Sequence, residues 1–199
     1  MKIFIFQILF LVPLSILSQN TNILEIDWKI KSETQNEYVN LLNLKDTNSL
    51  IVKIGYSSYW MNGLKAKYIV YQNDGKIKKF EVFHPRSSEL KTKIKKERIK
   101  KKHNHHYRNF LKKCVAEKMF EIDQSQLNIK EKVREEGTVE ILSISDGTNY
   151  HFEICRGKNS SAYSSYEPER FIKNNFPGSK ERQKLVDLIT GFEKMIEKF

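Results

Sequence analysis

Five histidines, two cysteines and a lysine-rich tract are where this 199-residue chain could do chemistry. His103, His105 and His106 form a His-x-His-His cluster. Imidazole is a good ligand for zinc, copper or nickel, and three rings close together could chelate a metal. Against this, Lys100, Lys101, Lys102 and Arg108 raise the cost of bringing in a dication, and Glu97 is the one carboxylate within ten residues. The spacing also matches no zinc motif. These histidines therefore read as candidates for adventitious capture, or as an extension of the basic tract that charges as the pH falls below about 6.5. For acid–base chemistry, His151 and Glu153 lie two residues apart, so on a strand they share a face, and His84 could join them if neighbouring strands pair. The competing reading, ordinary exposed polar positions on an antiparallel sheet, is the expected one. No Gly-x-Ser-x-Gly elbow, His-Glu-x-x-His helix or phosphate-cradling glycine loop occurs. No cofactor is implied.

The charge has a definite address. The formal net charge is +11, yet residues 86–118 hold 13 basic and three acidic groups, and residues 19–199 outside that tract hold 21 of each. Residues 91–102 have helix-forming types with Ile94 and Ile99 as the only large apolar ones. The expectation is a helix of about 18 Å, charged nearly all round and projecting into water. Lys95, Lys96, Arg98, Lys100, Lys101 and Lys102 are its candidate contacts to an anionic surface, polysaccharide or acidic protein. Nucleic acid fits poorly: no recognised motif is present, and lysine outnumbers arginine 28 to 7. The alternative is a merely solvated, lysine-biased segment.

Elements must position these groups. Lys2 precedes an apolar run from Ile3 to Leu17, short for a membrane span, with Ser18 suited to the position before cleavage. Residues 1–18 therefore read as a signal peptide, and residues 19–199 as one domain in the periplasm or outside the cell, with no transmembrane span and with an open oligomeric state. An oxidising compartment permits a bridge between Cys114 and Cys155, the alternative being two buried thiols. Residues 50–56, 65–72 and 76–84 read as strands, the last two joined by a turn at Asn73-Asp74-Gly75 and ended by Pro85. A second hairpin is expected from residues 138–145 and 148–156 around Asp146-Gly147, with Tyr150, Phe152 and Ile154 on one face and His151, Glu153 and Cys155 on the other. Tyr107, Leu111, Cys114 and Val115 mark the apolar side of a middle helix. Pro168 opens a short helix, and Leu185, Leu188, Ile189, Phe192, Met195, Ile196 and Phe199 stripe a long one after Ser179. The fold class is α+β, with antiparallel hairpins in a small sheet packed against central and C-terminal helices.

The early segment resembles the export signals of Bacteroidota proteins, many of which place Gln after the cleavage point, as Gln19 stands here. The stretch from Asp146-Gly147 through Tyr166-Glu167-Pro168 to Phe176-Pro177 and the last helix resembles small uncharacterised exported proteins of that group. The resemblance implies no activity and no site residues. The functional expectation rests on the residues: an exported, non-enzymatic binding module working through its basic segment. The alternatives are an enzyme of unfamiliar type using His84, His151 and Glu153, or an inhibitor or immunity-like protein.

Overall fold

Hairpin chemistry organises the chain. In the computed structural model, which describes residues 30–31 and 34–198, the elements run β1 (Ile30–Lys31), α1 (Thr34–Leu41), β2 (Leu50–Ser58), β3 (Gly63–Tyr71), β4 (Ile77–Pro85) and β5 (Lys93–Arg98). A 3₁₀ turn (Lys101–His103), α2 (Asn104–Ala116), α3 (Gln124–Leu127), β6 (Glu131–Val133) and β7 (Val139–Ile141) follow. The chain ends with β8 (Thr148–Arg156), β9 (Asn159–Tyr166), α4 (Pro168–Lys173) and α5 (Ser179–Lys198). The expected signal peptide lies outside the described residues.

Seven strands form one antiparallel sheet in the order β1-β9-β8-β2-β3-β4-β5, and β6 and β7 pair separately. The α+β architecture is as the sequence implied. Between β3 and β4, Gly75 takes a positive φ of 80° and its N–H donates to the Gln72 carbonyl at 3.0 Å. Proline at position 85 closes β4.

The second hairpin differs from expectation. β7 pairs with β6 around Gly137, and β8 pairs with β9 across Gly157-Lys158, where only the glycine has positive φ, as a two-residue type II′ turn requires. Asp146-Gly147 makes no hairpin. Gly147 instead lies against Tyr166: its N–H donates to the Tyr166 hydroxyl at 2.6 Å, and a Cβ there would sit 2.5 Å from Cζ of that ring. The glycine permits a close approach rather than a turn.

Alternation along the strands builds two cores. Val52, Ile54, Ile69, Phe152 and Ile154 meet Tyr107, Leu111 and Cys114 of α2 and the Leu185-to-Ile196 stripe of α5. On the opposite face Ile51, Ala66, Tyr68, Val70, Phe80, Val82 and Cys155 meet Tyr38, Val39 and Leu42 around α1. This overturns the disulfide candidate. Cys114 and Cys155 are both buried and free, on opposite sides of the sheet, so the sheet itself separates them. Burial pushes both thiols up to about 12, leaving them as protonated, inert small hydrophobes.

Arg182 is a buried cation that pairs with no carboxylate among the described residues. Its guanidinium donates to the carbonyls of Pro177, Leu127 (3.1 Å) and Ile129 (2.5 Å) and lies 4.5 Å over the Phe171 ring. It ties the start of α5 to the chain leaving α3. Gly178, at φ 79°, lets the backbone close against the Gln126 carbonyl beside it.

Candidate functional site

Two clusters hold the polar chemistry. The first lies on the α1 side of the sheet, where period-two alternation points Lys53 and Ser57 of β2 the same way as His151 and Glu153 of β8. Register sets Lys53 opposite Glu153 on one side and opposite Tyr68 of β3 on the other. From α1, the Tyr38 hydroxyl donates to Glu153 Oε2 at 2.5 Å and accepts from Lys53 Nζ at 2.8 Å. Lys53 and Glu153 also pair directly at 3.6 Å, with side chains 18% and 12% exposed. Burial, and then the Glu153 carboxylate, push the Tyr38 hydroxyl far above the usual phenol range, so it remains a donor.

Next along the same face, Ser57 Oγ lies 2.9 Å from His151 Nε2. His84 Nε2 lies 3.4 Å from the Tyr68 hydroxyl. Burial first, and then the Lys53 ammonium, pull both imidazoles below their ordinary value of 6.5. Both are therefore neutral at pH 7. The three sequence candidates thus share a face, but they do not form one unit. His151 and Glu153 line a cleft of about 400 Å³ with Lys53, Ser164, Gln124 and Asn128, while His84 stands apart with Tyr68. Glu153 is occupied by Lys53 and Tyr38, so it does not orient His151 as a catalytic carboxylate would.

The cleft opens at the β9 edge. Gln124 of α3 imitates a strand residue there: its amide donates to the Ser164 carbonyl and accepts from the Ser164 N–H, each at 2.9 Å. The same Nε2 donates to Asn128 Oδ1 at 3.0 Å. Lys53, Tyr38, Ser57 and Gln124 were absent from the sequence candidates. Lys53 had a signal: a lone lysine inside the apolar run Leu50–Ser58 requires a partner on its face. The other three are brought in by pairings that span 15 and 115 residues for Tyr38, 94 for Ser57 and 40 for Gln124.

The second cluster is the basic tract, and its form corrects the expectation. Residues 93–98 are not a projecting helix; they are β5, the last strand of the large sheet, paired along its length with β4. Ile99 explains part of this, since it is buried in the α2–α5 core and anchors the strand end. Salt bridges supply more. Glu97 accepts from Lys79 at 2.5 Å and Lys95 at 2.7 Å, and those hydrogen bonds hold its carboxyl down to about 2. On the α1 side of the strand, Lys96 lies 6.0 Å from the Phe80 ring centroid, and Arg98 pairs across from Lys78.

Lys93, Lys95, Lys96, Arg98, Lys100, Lys101 and Lys102 are all exposed. Of these only Lys95 joins an ion pair among the described residues. His105 Nδ1 contacts the Lys102 carbonyl at 2.8 Å, and its ring lies 3.7 Å from that of His106, while His103 sits 6.2 Å from His106. Among the described residues no three His, Cys, Asp or Glu side chains are arranged to hold a metal ion.

No helix of the described residues is long and apolar enough to cross a membrane. No family model matches the chain, and no curated protein matches it.

Proposed function

We propose that this protein is an exported binding module that engages an anionic partner through residues 93–102. One observation carries the reading: seven of the 13 basic residues of the charge-rich tract lie on the terminal strand and the turn after it, and all seven are exposed. Charged edge residues do guard sheets against aggregation. This tract goes beyond the edge strand itself, placing six exposed cations on β5 and the turn after it outside any ion pair among the described residues. Long-range attraction to an anion is the consequence, and it must weaken as salt shortens the Debye length from about 10 Å at 0.1 M to about 3 Å at 1 M.

The test is retention on immobilised heparin across a salt gradient. The native chain should elute late, and a variant with Lys96, Arg98, Lys100, Lys101 and Lys102 changed to Gln should elute near the void. Unchanged elution of the variant would remove the reading. The compartment is tested separately, by sequencing the N-terminus of protein recovered from its producing cells: it should begin at Gln19.

The Ser57–His151 contact at 2.9 Å, beside the cleft, favours a second reading, a serine-dependent enzyme with His151 as base. It predicts a covalent adduct of the protein with a fluorophosphonate, lost in Ser57→Ala. An unchanged mass after prolonged exposure would dispose of it.

A further inference from the structure

We infer that the anionic partner is an extended acidic polypeptide that adds to β5 as an eighth strand; this rests on the binding role proposed above and specifies its occupant. β5 is terminal in the sheet, and among the described residues no strand pairs with its outer edge. Such an edge presents a row of backbone donors and acceptors about 20 Å long over six residues. Strand addition takes its affinity from those main-chain bonds and its selectivity from side chains that alternate above and below.

The alternation here is specific. On the α2–α5 side stand Lys93, Lys95 and Glu97, and on the α1 side Ile94, Lys96 and Arg98, as the pairing with β4 fixes. Glu97 is already satisfied by Lys79 and Lys95, and Ile94 is 44% exposed. Directly opposed residues on neighbouring strands bring their Cβ atoms within about 5.5 Å, close enough for each lysine to meet one carboxylate. Read along β5 from Lys93 to Arg98, the complementary strand therefore carries acid, apolar, acid, acid, uncharged, acid. A polysaccharide or a lipid surface would meet the charges but could not use the backbone row. The occupant that uses both features is a polypeptide.

The experiment uses the full chain and the fluorescent peptide Thr-Glu-Thr-Glu-Glu-Val-Glu-Thr, which sets this pattern against β5 in the antiparallel sense. Binding is read by fluorescence polarisation. Two further peptides carry N-methyl groups on one or the other alternate set of amides, so charge and side chains stay constant while one backbone edge is blocked. In a strand only one set faces β5. One methylated peptide should bind within about threefold of the parent and the other at least tenfold more weakly.

Equal retention or equal loss by the two would overturn strand addition. So would a heparin oligosaccharide of matched charge binding as tightly as the parent peptide. In either case the binding role still stands if heparin retention depends on Lys96, Arg98 and Lys100 to Lys102, so the two ideas fail separately. Backbone amides of β5 that become protected from hydrogen exchange in the peptide complex supply a second readout, and no new protection there would also refute the proposal.

Discussion

Replacing Arg182 by Ala tests whether a buried cation can be held by carbonyls alone. The side chain is 0% exposed, and its guanidinium serves three acceptors, on Pro177, Leu127 and Ile129, while stacking on Phe171. A hydrogen bond from a charged donor contributes about 1.5–3 kcal/mol, and the Leu127 carbonyl, the one acceptor in a fully buried bond, costs about 1–3 kcal/mol when left bare. Relief of the cation's own desolvation offsets part of this. The balance is a loss of about 4 kcal/mol, which at about 2–4 °C per kcal/mol for a chain of this size lowers Tm by about 8–16 °C. Urea unfolding followed by circular dichroism gives the free energy, and calorimetry the Tm.

Arg182→Met is the informative control, because it keeps much of the apolar stem and removes the donors. It should recover little of the loss, and Arg182→Lys less than half, since one ammonium cannot span acceptors on three segments. If Arg182→Met is as stable as the native protein, the three hydrogen bonds contribute nothing net and the reasoning fails. The consequence extends to the cleft. Leu127 and Ile129 flank Asn128 and follow Gln124, so the same variants should raise hydrogen exchange at Ser164, whose N–H the Gln124 amide accepts.

Burial of neutral imidazoles makes stability pH-dependent. The folded pKa of His151 lies below the unfolded value, so the unfolded chain binds more protons, and stability falls as the pH drops from about 6.5 toward the folded value. His151→Gln should flatten that acid limb in urea titrations, and an unchanged slope would contradict the assignment; His84 contributes a slope of the same sign. Gly147→Ala should cost about 2 kcal/mol, because the new Cβ would drive Tyr166 and Glu167 from their places, whereas Gly137→Ala, with open space around it but a φ of 84°, should cost less. Alkylation of the denatured chain without reductant should add two groups, one each at Cys114 and Cys155, and a mass without adducts would restore the bridge that the sheet forbids.

Features that local chemistry controls are legible in the residues themselves. Apolar residues every second position in β8 and every third or fourth in α5 state their own burial, because each pattern matches the period of one element. Pro168 and the Asn73-Asp74-Gly75 turn are likewise local, since they depend on backbone preferences of the residues concerned. Tertiary structure decided what depends on a partner. Asp146-Gly147 has the composition of a hairpin turn, yet Tyr166, 19 residues away, uses that glycine for close contact. Residues 93–98 have helix-forming side chains, but a strand there exchanges hydrogen bonds with β4, lets Glu97 reach Lys79 and sends Ile99 into the core. No pattern along the tract itself encodes those gains. The same holds for the cleft: His151 and Glu153 could be placed on one face from their spacing, but Lys53, Tyr38 and Gln124 arrive through register and packing. Charge could be located from the sequence. That it lines an open sheet edge, where backbone and side chains can be used together, was decided by the fold.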